Sequence, residues 1–122
     1  MELKQVIVMR TDLNMRKGKM ISQGAHASGM PLVHALLHLD TIPEKLHGWI
    51  GTGVFTKVTV RANSEQELMD VYARAQAAGI EAYLITDCGK TEFHGVPTKT
   101  CISIGPDEIE TIDQITGNMT LL

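Results

Sequence analysis

Residues 3–10 read LKQVIVMR, and the apolar run VIVM at residues 6–9 is typical of a strand buried on both faces of a sheet. Residues 11–18 are polar and contain a glycine, which predicts a loop. From Lys19 onward, small and apolar residues recur at helical spacing. The chain therefore opens with a strand, a loop and a helix, as an α/β fold does.

Prolines mark the next boundaries. Pro31 lies inside the helical pattern, and its missing N–H group predicts a kink or a break near residues 28–30. Pro43 is expected in the first turn of a second helix, where proline is favoured. Residues 54–60, VFTKVTV, are rich in β-branched side chains and predict the second strand.

A capping box indicates where the third helix begins. Ser64 is expected to accept a hydrogen bond from the backbone of Glu67, and the Glu67 carboxylate to return one. Apolar residues then recur on one face of this helix until Gly79 ends it. Residues 80–85 predict the third strand, and the polar residues 86–98 predict a loop.

Residues 99–104 predict the fourth strand. The sequence Gly-Pro-Asp-Glu at residues 105–108 predicts the start of the last helix, with Pro106 in its first turn. The order β-α-α-β-α-β-β-α favours a layered α/β sheet. Ligands of such sheets bind outside the carboxyl ends of the strands, where the loops 11–18 and 86–98 are expected.

Composition limits the class of protein. The chain has 122 residues, enough for one domain, and its 43% hydrophobic and 20% charged residues are those of a globular protein. No apolar run approaches the ~20 residues that cross a bilayer, and the N-terminus does not resemble a secretory signal. The two cysteines form neither a metal framework nor a CxxC pair. We therefore expect a cytoplasmic protein with reduced thiols.

Charge is distributed unevenly along the chain. The net charge is −3, yet residues 1–64 carry eight lysines and arginines against four acids. Residues 65–122 carry three against ten. This asymmetry predicts one basic and one acidic face. The densest basic group consists of Arg10, Arg16, Lys17 and Lys19, and a solvated loop is the alternative interpretation of it.

Lys19, Gln23 and His26 share one face of the first helix, because they are spaced i, i+4 and i+7. Lys19 lies in the first turn, where a cation opposes the helix dipole and folding alone gives no reason for it. Together with Arg16 and Lys17 it could grip a phosphate. The alternative for His26 is a partly buried histidine that bonds to the backbone.

Asp87 follows the third predicted strand, where it could accept a proton or orient a water molecule. Gly89 permits a turn with positive φ. Thr91, Thr98 and Thr100 add hydroxyl groups near the same loop. The alternative is an Asx-turn, in which Asp87 only caps the local backbone.

Other candidates have weaker support. Cys88 could be a nucleophile, although a cysteine without a placed base is usually inert. His34 and His38 have the spacing of a metal pair but lack a third ligand nearby in the sequence. The few aromatic residues do not indicate a base-stacking platform, and Trp49 is expected to be a packing residue.

Three collinear segments resemble the type II peptidyl-tRNA hydrolases. Residues 3–28 match a strand, an R-x-D-L loop, a K-G-K turn and a Q-x-A/S-H-A helix. Residues 84–91, LITDCGKT, resemble a D-A-G-[RK]-T loop, and residues 98–122 resemble T-K-T…I-G-P…ID-x-[IV]-T-G. The chain departs from this pattern at Arg16, Cys88 and Lys90, among other positions. Residues 93–97 are one residue longer than the usual linker.

The resemblance implies a single three-layer α/β domain over residues 1–122, with a mixed four-stranded sheet flanked by helices on both faces. It also implies a homodimer that needs no metal or other cofactor and cleaves the ester between a peptide and the 3′-terminal ribose of tRNA. The implied catalytic residues are Lys19, Asp87 and Thr91. The implied substrate-binding residues are Gln23, His26, Thr98 and Thr100. Arg16 and Lys17 are added as substrate-binding candidates because they belong to the basic group.

Two further interpretations stay open. A non-catalytic RNA- or partner-binding module could use the same fold, although the joint presence of Lys19, Asp87 and Thr91 favours the enzyme. A hydrolase that uses Cys88 is the other. The tRNA is expected to bind through its phosphates, to basic residues that include Arg10, Lys57 and Arg61.

Overall fold

A computed structural model describes residues 2–90 and 92–122 of the chain. The elements are β1 (Leu3–Arg10), α1 (Lys17–His38), α2 (Glu44–Gly51), β2 (Lys57–Ala62), α3 (Glu65–Ala77), β3 (Ala82–Asp87), β4 (Thr98–Glu108) and α4 (Ile109–Thr116). This order confirms the predicted succession of strands and helices. Among the described residues no helix has the length and apolarity to cross a bilayer.

The four strands form one mixed sheet in the order β2-β1-β4-β3. β1 pairs parallel to β2 and antiparallel to β4, and β3 pairs antiparallel to β4. The carboxyl ends of β1, β2 and β3 therefore lie at the same edge of the sheet as the start of β4. We call this the carboxyl edge; it brings the loops after β1 and β3 together, as predicted.

Helices cover both faces of the sheet. Val6 and Val8 of β1 are buried in a cluster with residues of α3 and α4. The alternate residues Ile7 and Met9 are buried in a second cluster with Ala27 of α1. Because successive side chains of a strand point to opposite faces, β1 lies between two helical layers. The expected three-layer α/β fold with a mixed four-stranded sheet is thus confirmed.

Trp49 anchors α2 to the same layer as α1. Its side chain is fully buried in a cluster with Leu3, Ala35 and Leu46. The indole N–H donates to the carbonyl of Thr56 at 2.8 Å, which satisfies its polar atom. Trp49 is therefore a packing residue, as predicted.

The predicted break at Pro31 is wrong. α1 continues from Lys17 to His38 with Pro31 inside it. Ala27, Pro31 and Ala35 are buried and recur every four residues, so one helix face packs on the sheet both before and after the proline. This burial outweighs the single backbone hydrogen bond that the proline cannot donate.

The predicted helix start at residues 105–108 is also wrong. β4 continues through Glu108, and α4 begins at Ile109. Asp107 and Glu108 pair with Lys4 and Leu3 across the sheet, past a register shift between Lys4 and Val6. Pairing with β1 thus overrides the local helix signal of Pro106, which a strand tolerates at a bulge.

The capping box at α3 is confirmed in part. The Ser64 hydroxyl accepts from the backbone N–H of Glu67 at 3.0 Å. The Glu67 carboxylate accepts from the N–H of Asn63 at 2.9 Å, one residue before the position that the motif predicts. Both bonds satisfy donors at the start of the helix.

We predict that Gly105→Ala destabilises the fold by about 2–4 kcal/mol. Gly105 has a φ of +90°. A Cβ there would lie 2.8 Å from the backbone nitrogen of Asp107 and 2.9 Å from the carbonyl oxygen of Lys4. The free energy of unfolding in urea measures the loss.

Gly29→Ala is the matched control. Gly29 lies inside α1, and a Cβ built there meets no atom within 4 Å. Alanine favours a helix over glycine, so this variant should be as stable as the wild type or more stable. Equal stability of Gly105→Ala and the wild type would contradict the steric constraint at Gly105.

Candidate active site at the carboxyl edge

An ion pair between Lys19 and Asp87 lies at the carboxyl edge. Lys19 is in the first turn of α1, and Asp87 is the last residue of β3. The Lys19 Nζ lies 2.9 Å from the Asp87 Oδ1, and their side chains are 13% and 11% exposed. The structure thus brings together two residues that are distant in sequence and largely shields them from water.

Both oxygens of the Asp87 carboxylate are held in place. The Gln23 Nε2 donates to Oδ1 at 3.3 Å, beside Lys19. The backbone N–H of Gly89 donates to Oδ2 at 2.8 Å. This last bond is the Asx-turn that we considered as an alternative, and it coexists with the ion pair. The carboxylate is therefore fixed in orientation as well as in position.

These contacts keep Asp87 ionised. The hydrogen bond from Lys19 is the largest cause that lowers the pKa of Asp87 below its usual 3.8. Desolvation acts in the opposite direction, and the bonds from Gly89 and Gln23 lower the pKa further. Asp87 is consequently a carboxylate at neutral pH and a weak base.

Thr100 on β4 fixes the orientation of the Gln23 side chain. Its hydroxyl donates to the Gln23 Oε1 at 2.6 Å, and Thr100 is fully buried on β4. Because Oε1 accepts this bond, the amide nitrogen of Gln23 must face Asp87. Thr100 therefore acts through Gln23 as a positioning residue.

Cys101 also contacts Gln23, through its backbone. The thiol donates to the Gln23 carbonyl at 3.4 Å. Burial raises the pKa of the Cys101 thiol to about 12, so it stays protonated. Cys88 is exposed, and within the described residues no hydrogen-bonded base accompanies it.

The remaining predicted site residues lie around this centre. Thr98 pairs with Asp87 across the sheet, and its hydroxyl donates to the carbonyl of Val96 at 2.8 Å. His26 is exposed on α1, so the alternative of a partly buried histidine is wrong. Thr91 lies outside the described residues.

Two cations at the start of α1 face solvent. Arg16 is the N-terminal capping residue, with 90% of its side chain exposed, and Lys17 is exposed beside it. Glu92 contacts this helix end, where it accepts from the Arg16 backbone N–H at 3.4 Å and lies 3.9 Å from the Arg16 Nε. No pattern in the sequence indicates Glu92, because its contact depends on how the loop after β3 folds.

Arg10 is not available for phosphate binding, contrary to expectation. Its buried guanidinium donates to both carboxylate oxygens of Asp12, at 3.0 and 2.7 Å. A third donor reaches the carbonyl of Lys99 at 2.9 Å. Arg10 therefore ties the loop after β1 to β4.

Lys57 lies far from the site. It begins β2, at the end opposite the carboxyl edge, and its Nζ lies 3.2 Å from the ring centroid of Phe55. Arg61, by contrast, is exposed near the carboxyl end of the same strand. Of these two candidates for the tRNA surface, only Arg61 lies at the carboxyl edge.

The loop after β3 closes on itself through Gly89. Its φ is +85°, and a Cβ would lie 2.3 Å from the carbonyl oxygen of Val96. The Gly89 carbonyl in turn accepts from the N–H of Gly95 at 2.9 Å. Only glycine fits this approach, which confirms the predicted turn and fixes the N–H that binds Asp87.

No group of three metal-ligating side chains occurs among residues 2–90 and 92–122. His34 and His38 contact one another, with ring centroids 5.2 Å apart, and His34 also contacts Tyr83. This pair lies in the second half of α1, away from Asp87.

We predict that Lys19→Met raises the pKa of Asp87. The substitution removes the hydrogen bond and the positive charge that lower the pKa of Asp87. The burial that favours the neutral carboxyl group remains. NMR titration of the Asp87 carboxyl carbon measures the change.

The stabilising effect of the Lys19–Asp87 pair is present above pH 3.8 and is lost as the pH falls through the lower pKa that Asp87 has in the folded state. The variant should lose less stability in that range.

Lys17→Met is the matched control, since Lys17 is exposed in the same helical turn. It should leave the pKa of Asp87 where the wild type has it. The same increase in both variants would show that general charge, and not the ion pair, sets this pKa.

The sequence is similar to proteins of one known family. The sequence model of the family described as peptidyl-tRNA hydrolase PTH2 matches residues 3–122. The peptidyl-tRNA hydrolase of Methanocaldococcus jannaschii is 40% identical over 121 residues, which cover 98% of this chain and all of the relative. That of Methanothermobacter thermautotrophicus is 42% identical over 120 residues, with the same coverage.

A third relative, from Haloquadratum walsbyi, is also named peptidyl-tRNA hydrolase. It is 42% identical over 119 residues, which cover 98% of this chain and 99% of the relative. These matches span nearly the whole of this chain and of each relative. The chain therefore belongs to the peptidyl-tRNA hydrolase PTH2 family.

Proposed function

We infer that the chain hydrolyses the ester between the peptide and the 3′-terminal ribose in peptidyl-tRNA, and so releases free peptide and reusable tRNA. The observation that carries this inference is the shielded Lys19–Asp87 pair, with its 2.9 Å contact, beside exposed cations at the carboxyl edge. The family and the names of the relatives agree with it.

The geometry supports direct attack by water. Asp87 is a fixed carboxylate that accepts a hydrogen bond from the attacking water and orients it towards the ester carbonyl. Its low pKa makes it better suited to orienting the water than to retaining a proton. The water oxygen bonds to the carbonyl carbon, and the bond to the ribose oxygen breaks. That oxygen takes one proton of the attacking water and leaves as a hydroxyl group, and the other proton is released as the new peptide carboxyl group ionises.

Lys19 stabilises the charge that develops during this attack. Its ammonium group lies beside Asp87, where the carbonyl oxygen of an ester held next to the water becomes negative. Gln23, one turn further along α1, donates to the Asp87 carboxylate and helps to hold its orientation. Thr91, which the resemblance places in the catalytic set, would contribute a hydroxyl group.

The tRNA binds through its phosphates at the carboxyl edge. Arg16 and Lys17 are exposed there, and Arg61 is exposed at the end of β2. Contacts of this kind do not read the base sequence, which suits an enzyme that must accept many tRNAs. The affinity of such contacts for tRNA falls as the salt concentration rises.

We further propose that residues 1–122 form a single domain that acts in the cytoplasm.

We predict that the wild type cleaves N-acetyl-aminoacyl-tRNA and that Asp87→Asn lowers kcat/KM about 100-fold or more. The asparagine keeps the shape of Asp87 but removes the charge that orients water. The assay measures release of the N-blocked amino acid, with free aminoacyl-tRNA as a second substrate.

Asp40→Asn makes the same chemical change at an exposed residue that follows the C-terminal end of α1, the end opposite Lys19, and should leave activity unchanged. A wild type that binds tRNA but cleaves neither ester would overturn the enzyme and favour the non-catalytic binding module.

We also propose that the chain forms a homodimer through α1. Several large apolar side chains are exposed on this helix; Ile21 is 72% and Leu36 is 85% exposed. An apolar groove of about 740 Å³ lies between α1 and β2, on the flank of α1 that faces away from Asp87. Apolar surface of this extent is typical of a protein interface, and the resemblance implies a second copy as the partner.

We predict that Leu36→Glu converts the dimer to a monomer, because it places a charge within the apolar interface. Light scattering coupled to size exclusion measures the mass. Ala73→Glu adds the same charge on α3, on the opposite face of the sheet, and should leave the dimer intact. A wild-type monomer at micromolar concentration would contradict the proposal.

A further inference from the structure

Phe93 lies beside the ion pair of the site. The centre of its ring is 5.7 Å from the Lys19 Nζ. The residue is half-buried and packs against the cluster that contains Ile7, Met9 and Ala27. Its carbonyl accepts from the N–H of Val96 at 2.9 Å, which anchors the backbone of the same loop. The ring is thus held at the site by core packing and by the loop.

Of the Phe, Tyr and Trp residues within residues 2–90 and 92–122, Phe93 alone lies at the carboxyl edge. The chain has five Phe, Tyr and Trp residues. Trp49 and Phe55 pack on each other near the amino end of β2, with ring centroids 4.1 Å apart. Tyr72 lies on α3, and Tyr83 lies near the start of β3. Among the Phe, Tyr and Trp residues that the structure describes, Phe93 is therefore the candidate for an aromatic surface near the ester.

The substrate brings a flat ring to the same place. The ester oxygen and the terminal nucleobase are attached to one ribose, so a scissile ester at Lys19 and Asp87 places the base within one sugar's width of them. The Lys19 Nζ lies over the Phe93 ring, 5.7 Å from its centre, so the ring borders the ion pair at which the ester would be held. Aromatic side chains bind unpaired bases by stacking.

We propose that Phe93 is the platform on which the 3′-terminal nucleobase of the tRNA stacks. This rests on the proposed function and assigns a subsite to its substrate. The peptide side chain nearest the ester differs between substrates, whereas the terminal nucleoside of tRNA is constant. A rigid ring held by the core suits the constant part. Stacking sets the position of the ribose and therefore the alignment of the ester with Asp87.

The test compares Phe93→Leu and Phe93→Trp on two substrates. One is N-acetyl-aminoacyl-tRNA with its natural end, and the other lacks only the terminal base. Stacking is worth about 1–3 kcal/mol, so Phe93→Leu should raise KM about 5- to 100-fold on the natural substrate. Phe93→Trp should keep KM near that of the wild type. On the substrate without the base, the leucine variant and the wild type should be alike.

Tyr83→Leu is the matched control, because it removes an aromatic ring near the start of β3, at the end of the strand opposite Asp87. It should change KM on neither substrate. Thermal melting of each variant separates a loss of folding from a loss of binding, and Phe93→Trp keeps the test informative if the leucine variant is unstable.

Binding of uncharged tRNA separates this proposal from the proposed function, since it needs no hydrolysis. Phe93→Leu should weaken binding of intact tRNA, but not of tRNA that lacks the terminal base. If the leucine variant lowers kcat equally on both substrates with KM unchanged, the ring only holds Lys19, and the platform is wrong. The same follows if the effect depends on the amino acid, with phenylalanine esters affected and alanine esters spared.

Discussion

Burial of β1 on both faces is the constraint on which the rest of the structure depends. Val6 and Val8 require helices on one side of the sheet, and Ile7 and Met9 require a helix on the other. β1 is also the inner strand that pairs with β2 and β4. Its carboxyl end consequently opens between two helical layers, next to the start of β4. The site lies there because the chain leaves its most buried strand at that point.

The ion pair illustrates how a fold can set chemistry through electrostatics alone. Lys19 opposes the dipole of its own helix, which is a local cost that Asp87 offsets. In return, Lys19 keeps Asp87 charged despite burial. Each charge thus offsets part of the cost of shielding the other from water. The pair to which we assign catalysis therefore also contributes to the structure.

Much of this could be read from the sequence, for identifiable reasons. The order of elements follows from apolar periodicity, which reports burial directly. Local signals failed where tertiary contacts prevailed: Pro31 lies on a face that stays packed, and Pro106 lies in a strand that pairs with β1. Lys19, Gln23 and Asp87 were identified as candidates, but not the bond from Thr100 that orients the amide, because it links residues 77 positions apart. The prediction that Arg10 binds phosphate was wrong because its guanidinium is paired with Asp12. The sequence shows that these two residues are close, but not that their side chains face each other.

The contacts of Arg10 have a consequence for the energetics of binding. Its guanidinium joins Asp12, in the loop after β1, to Lys99 on β4, and Glu92 of the next loop reaches the start of α1. The segments that frame the site are thus cross-linked before any substrate arrives. Little conformational entropy remains to be lost when a flexible, single-stranded tRNA end binds. The ordering cost of complex formation then falls mainly on the RNA, and a preorganised site keeps more of its contact energy as affinity.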